Sequence, residues 1–247
     1  MSANWIIAVI LISIRLGLIV LATPIPFFSY LPRHVRVLFV LAISTMLSFS
    51  LPPIPTLSGY NFMLAIVKEI FTGGVIAFAI FIAFGSLMFA GRLIETQMGL
   101  NAIGVLNPNA NTGDSVLGTL ITLMATMIFI TSGGVELLFS GIFASFELVP
   151  IGVDRLNVGL DFFIRGFGLL FLYGLMLSAV VIFGLFLMDM VIAFIARVMP
   201  QVNIYFVSLP CKLFVGLWLL TLSLSYMSNI ILQNFNANLK PLTPGVL

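Results

Sequence analysis

Gly166–Met188 reads GFGLLFLYGLMLSAVVIFGLFLM, a run without one charged side chain. As a helix it covers about 35 Å at ~1.5 Å per residue, enough for a hydrocarbon core of ~30 Å. Inside lipid the backbone must satisfy its own hydrogen bonds, and a helix does so within one segment. Similar runs, free or nearly free of charge, lie at Trp5–Ala22, Val37–Leu51, Ile70–Ala90, Val116–Val135 and Leu213–Ile231. The whole chain follows the same rule: 61% of its residues are hydrophobic, 7% are charged, and the mean hydropathy is +1.25. A soluble domain carries about 25% charged residues. The fold class read here is therefore all-α: an integral membrane protein of helical hairpins with about six hydrophobic segments.

A net charge of +2 and the lack of a basic cluster exclude a nucleic-acid partner. Cys211 is the single cysteine, which rules out an intrachain disulfide and makes it a small apolar packing residue. His34, also alone, stands between Arg33 and Val35 at a helix end and reads as interfacial. The first segment lacks a basic leader, and Arg15 interrupts its apolar run, so it reads as a retained span rather than a signal peptide.

Proline and glycine divide the chain. Thr23-Pro24-Ile25-Pro26 ends the first segment, and Leu51-Pro52-Pro53-Ile54-Pro55 the second. Polar connectors cover Asn101–Ser115, Pro150–Asp161 and the neighbourhood of Met199-Pro200-Gln201. Pro200 and Pro210 bracket a connector whose turn is expected near Pro200–Asn203, giving a helical hairpin. No repeat or second domain is visible, so residues 1–247 read as one membrane domain, with a polar, partner-ordered or flexible tail over Asn234–Leu247. Lys and Arg bias places Arg33, Arg36, Arg92, Arg197 and Lys212 on one side and Arg155, Arg165 and Lys240 on the other, with the N-terminus outside by a small margin. Hairpins that cross the bilayer only in part fit the prolines and embedded charges equally well.

Small residues recur four apart at Gly73/Ala77, Ala79/Ala83, Ser86/Ala90, Gly141/Ser145 and Gly174/Ser178. That spacing lets helices approach closely in lipid, either within one bundle or against other subunits. Arg15, Lys68, Glu69, Glu136 and Asp189 fall in or beside apolar segments, where a charge costs ~2.5–3.5 kcal/mol on insertion scales. Lys68 and Glu69 are adjacent and point apart on a helix; Asp161 and Arg165 have the spacing of a helical ion pair. Asp189 is too far from Arg197 along one helix for direct contact, so both, with Lys212, are expected to find partners at a subunit contact. No Ser/His/Asp set, metal-ligand spacing or phosphate-binding loop is present, so no catalytic residue, metal or cofactor is expected. The chain also lacks the paired halves of a secondary transporter.

The stretch Gln97–Ser115 combines an apolar strip, Met98, Leu100, Ile103, Val105 and Leu106, with a turn-rich segment from Asn107 to Asp114. Apolar constrictions stop ions by dewetting, and a loop can move without unpacking helices. An ordinary connector would read the same way.

Two motifs carry a family resemblance. Gly91-Arg92-Leu93-Ile94-Glu95-Thr96-Gln97-Met98-Gly99-Leu100, followed by Asn107-Pro108, resembles a G-x-L-I-x-x-Q-M-G-L … D-P pattern. Ala196-Arg197-Val198-Met199-Pro200-Gln201-Val202-Asn203-Ile204-Tyr205, with Pro210, Lys212 and Gly216, resembles A-R-x-x-P-Q-x-N-x-F … P-x-K-x-x-x-G. With Thr23-Pro24, Arg33, Arg36, Glu69 and Gly73-Gly74, the likeness extends over nearly the whole chain. The family is that of FliR, the flagellar biosynthetic protein of the type III export apparatus, whose injectisome relatives are the SctT proteins. Gln97-Met98-Gly99-Leu100 is closer to the flagellar wording.

The resemblance implies a non-enzymatic export-gate subunit in the bacterial inner membrane, in the flagellar basal body. It implies assembly with FliP and FliQ, usually five FliP and four FliQ to one FliR, into a cone-like channel for unfolded substrates. FlhB is expected around the cytoplasmic opening, with FlhA nearby. It further implies a pore-plugging loop over Gln97, Met98, Gly99, Leu100, Ile103, Val105, Leu106, Asn107 and Pro108. Assembly positions would be Glu69, Gly73, Gly74, Asp189, Arg197, Pro200, Gln201, Asn203, Pro210 and Lys212. The sequence departs from the family pattern at Asn107, where an Asp is usual, at Ala102 and Val105, often aromatic, and at Ile204-Tyr205. A stand-alone secondary transporter or permease is one alternative, separable by the mass of the detergent-solubilised complex; the equivalent subunit of a virulence injectisome is the other.

Overall fold

The computed structural model describes residues 2–50, 59–100, 115–152, 159–199, 201 and 204–239. Within them every regular element is a helix: α1 (Ser2–Ala22), α2 (Pro26–Ser29), α3 (Arg33–Ser50), α4 (Gly59–Met98), α5 (Val116–Thr131), α6 (Gly134–Leu148), α7 (Leu160–Val198) and α8 (Ile204–Leu239). Five are long and apolar enough to cross a membrane, and α5 with α6 makes a sixth candidate broken in the middle. The chain is an all-α membrane protein.

Local sequence explains most ends. Ala22 is the last helical residue before Thr23-Pro24, because the residue preceding proline is driven out of helical geometry. Proline suits a first helical position, and Pro26 opens α2. The Pro32 carbonyl accepts the first bonds of α3, from the N–H of Val35 (3.0 Å) and Arg36 (3.2 Å). The fourth apolar run breaks at Gly133, which adopts φ 78°, open to glycine at little cost. The following Gly134 lies under the Phe129 ring, where a methyl group would stand 2.2 Å from Cδ2.

Three helices exceed the sequence reading. α4 has 40 residues, α7 has 39 and α8 has 36. The segments read from hydropathy are their apolar middles; Tyr60–Glu69 and Thr221–Leu239 mix polar and apolar residues yet remain helical. Pro210 is inside α8 rather than at its edge, so the connector shrinks to the residues between Val198 and Ile204. α8 also continues to Leu239, taking in Asn234, Phe235 and Asn238, all buried, from the stretch expected to form the tail.

The contacts divide the chain into two units, each assembled from separated stretches. The first contains Met1–Phe84, Phe129–Phe167 and Phe235–Leu247. In it α1 and α3 form an antiparallel hairpin, closed at one end by Phe28 on Phe39 (5.5 Å) and at the other by Trp5 on Phe49 (5.7 Å between ring centroids). Leu11, Ile12, Leu16 and Ile19 are almost wholly buried. Phe84, Phe129 and Phe235 stack mutually at 4.9–5.8 Å, and Phe78 meets Phe162, Phe163 and Phe167.

The second unit contains Gly85–Ile128 and Gly168–Asn234. There α7 and α8 run antiparallel: Gly184 meets Leu219, and farther along α7 Asp189 meets Lys212. α7 follows α4 in the same direction, with Gly174 against Ser86 and Phe89, and Asp189 against Gln97. Asn234 donates to the Ser86 hydroxyl at 2.9 Å, a buried polar tie between α8 and α4. The small residues at Ser86, Gly174 and Gly73 are thus used for packing within the chain.

Candidate functional site

The motif Gln97-Met98-Gly99-Leu100 is first of all a helix stop. Gly99 has φ 79°; its N–H donates to the Thr96 carbonyl (3.2 Å), and that of Leu100 donates to the Glu95 carbonyl (3.1 Å). This is the pairing of a Schellman motif, in which a left-handed glycine turns the chain and satisfies the last carbonyls. Gln97 and Met98 therefore end α4, and Gly99 and Leu100 form the turn beyond it.

The opposite end of the stretch is capped with equal care. Ser115 precedes α5, and its hydroxyl accepts the Gly118 N–H at 2.8 Å. The N–H of Leu117 is taken by the Glu95 carboxylate at 2.7 Å, although Glu95 belongs to α4. An acidic group at a helix N-terminus is favourable by charge as well as by hydrogen bonding. The two helices cross at glycines: a methyl group on Gly91 would stand 2.1 Å from the Gly118 Cα. The stretch between residues 100 and 115 thus springs from two helix ends bolted together.

A second anchor joins this foot to the α7–α8 hairpin. Asp189 receives the Lys212 ammonium at 2.5 Å on one oxygen and the Gln97 amide at 3.1 Å on the other. Met98 is fully buried, and a methyl group on Gly216 would stand 2.8 Å from its Cγ and Cε. Asp189 and Lys212, expected to meet outside partners, thus meet each other, leaving 35% and 22% of their side chains exposed.

In the first unit Arg15 and Glu69 form a buried pair at 0% and 1% exposure. Arg15 Nε donates to Glu69 Oε2 at 2.6 Å and Nη2 to Oε1 at 3.1 Å, the two-pronged geometry that guanidinium and carboxylate share. Two further guanidinium hydrogens reach the Ser145 and Val149 carbonyls at 2.9 and 3.0 Å, at the negative end of α6. The Gly152 N–H donates to Glu69 at 3.0 Å, and the Phe146 ring centroid is 4.3 Å from the Arg15 Cζ. Gly73 makes room for this, since a methyl group there would stand 2.9 Å from the Arg15 carbonyl oxygen. Lys68 is half-buried and points elsewhere, as adjacency on a helix requires.

Of the sequence-derived positions, Gln97, Asp189 and Lys212 come together, and Glu69 and Gly73 both meet Arg15. Gly74 has open space around its Cα, Gln201 and Arg197 are exposed, and Pro210 lies in the first turns of α8. Ile103, Val105, Leu106, Asn107, Pro108, Pro200 and Asn203 lie outside the described residues. Asp161 and Arg165 are not among the ion pairs of the described residues, which are Arg15–Glu69 and Asp189–Lys212. The sequence reading missed Glu95 and Ser115. A serine just before an apolar run was a legible cap; an acid borrowed from another helix was not. Among the described residues no group of His, Cys, Asp and Glu is arranged to hold a metal ion.

The profile of the bacterial export proteins, family 1, matches residues 6–237. The flagellar biosynthetic protein FliR of Bacillus subtilis is 24% identical over 238 residues, 94% of this chain and 92% of that protein. The FliR of Escherichia coli is 30% identical over 192 residues, 76% of this chain and 73% of its own. The Yop proteins translocation protein T of Yersinia pestis is 30% identical over 163 residues, 65% of this chain and 62% of its own. The likeness runs through both the capped foot and the buried charge cluster. The chain is no enzyme: it belongs to family 1 of the bacterial export proteins, as a FliR-type protein of type III secretion.

Proposed function

We propose that this chain is a subunit of the flagellar type III export gate in the inner membrane, at the basal body. It joins FliP- and FliQ-like proteins, one copy among five and four, to form the channel through which unfolded flagellar proteins leave. FlhB- and FlhA-like proteins complete the apparatus, and the stretch Gln97–Ser115 plugs the channel. The observation that carries the reading is the imbalance of burial among the long helices. Within an apolar 18-residue window of each helix, the chain buries 67% of the residues in α4, but only 11% in α7 and 11% in α8. Phe183, Phe206, Phe214 and Trp218 are more than half exposed. Lipid could cover such faces on a lone protein; helices of other subunits cover them in an assembly, and the family supports the second.

Expressed alone, the chain should be degraded or aggregate. Expressed with FliP- and FliQ-like partners, it should purify in mild detergent as one large complex holding a single copy. Mass measurement of that complex decides the matter, because a stable, monodisperse homo-oligomer of this chain is incompatible with the proposal. The 30% identity to the Yersinia protein makes an injectisome gate the second reading, and the same experiment with either set of partners separates the two.

A further inference from the structure

The last turns of α7 carry an apolar groove of about 550 Å³, lined among the described residues by Met190, Val191, Phe194, Ile195, Val198 and Met199. That volume is in the ~300–1,000 Å³ range of small-molecule sites. The lining side chains are open, from 48% exposed at Ile195 to 72% at Val198. At about 100° per residue they occupy one side of the helix, and Arg197 falls at the edge of that side, next in line after Met190 and Phe194. Arg197 is exposed and takes no part in an ion pair with any described residue. Asp189, the other charge of this end of α7, is on the opposite face, where Lys212 and Gln97 occupy its two oxygens. The groove therefore has apolar length, a cation at its rim and no acid of its own.

An apolar helix would fit the length but would cover the guanidinium without compensating its charge, which is costly. A phospholipid supplies an acyl chain and an anionic phosphate on one molecule, and arginine suits both demands, with an apolar stem and a head that binds phosphate on two prongs. We propose that this groove binds an anionic phospholipid, its acyl chain along Met190, Phe194 and Val198 and its phosphodiester on Arg197. The site depends on the membrane location of the chain and is independent of which apparatus it joins.

Native mass spectrometry of the full chain in its detergent-solubilised complex tests this, after exposure to palmitoyl-oleoyl phosphatidylglycerol or phosphatidylcholine at equal concentration. The anionic lipid should be retained about fivefold over the zwitterionic one, the preference that one basic residue near such a headgroup confers. Arg197→Gln should abolish that preference, and Arg197→Lys should keep most of it. Equal retention of both lipids by the wild type, or an unchanged preference in Arg197→Gln, overturns the proposal. A photo-crosslinker at position 194 should label lipid; labelling of a protein subunit as the main product also overturns it.

Discussion

Arg15 is a fully buried guanidinium, and five hydrogen-bond contacts keep it and Glu69 in place. Continuum reasoning makes such pairs poor sources of net stability, because desolvation cancels the attraction; removing one partner is a different matter and costs about 3–5 kcal/mol. Arg15→Ala should therefore lower the thermal midpoint of the solubilised complex sharply. The double variant Arg15→Met, Glu69→Met should regain part of the loss, short of all of it because the Gly152 N–H and the Val149 carbonyl lose their partners. Equal midpoints for Arg15→Ala and wild type would show that water reaches the site. The sequence announced both charges as needing partners but could not introduce them. They are 54 residues apart, and no helical period connects α1 with α4. The Gly73 beside them was legible as a small residue; what it made room for was not.

At the level of helices, the Asp189–Lys212 contact holds three elements in register, with Gln97 bringing α4 to the α7–α8 hairpin. Its partial exposure puts its worth between the ~0–1 kcal/mol of a surface pair and the ~3–5 kcal/mol of a broken buried one. Asp189→Ala should reduce the yield of assembled complex more than Asp154→Ala, which alters the polar connector after Pro150. Yields that match would mean that Asp189 is simply solvated. Helix existence and type were readable from charge-free runs and prolines, because lipid leaves the backbone no other choice. Helix length was not. Hydropathy marks where a segment is greasy, whereas a helix continues through polar residues until something stops it. Gly99 stops α4, and a glycine with a leucine behind it could have been recognised as that signal. Pro210 shows the converse: it entered α8 instead of ending it.

For the whole molecule, the loop between α4 and α5 has its two ends fixed to each other and to the α7–α8 hairpin. Removing Ala102–Thr112 leaves Glu95, Gly99, Ser115 and Gly118 untouched, so assembly should survive. The membrane should then leak small ions, and replacing Val105 and Leu106 with Asp should act the same way by wetting a constriction. Conductance equal to wild type in an assembled deletion variant would take the plug role away from this loop. Composition and two motifs were enough to read the class and the family, since both depend on many residues together. The anchoring of the loop depends on single atoms of Glu95, Ser115 and Met98 meeting across helices, and one sequence does not encode such meetings in any local pattern.

α7 has a consequence for how the protein is made. Its 39 residues contain no polar belt between Gly166 and Met188, and about 20 apolar residues already suffice to cross a bilayer. The segment has no ruler of its own: several different windows along it would sit in lipid almost equally well. An insertion machinery that recognises segments one at a time can place it in the membrane but cannot set its depth. Depth is fixed afterwards, when Asp189 finds Lys212 and Gln97. Biogenesis of this chain is then a two-step affair, insertion first and vertical alignment second, with polar contacts acting as the notches that end the slide.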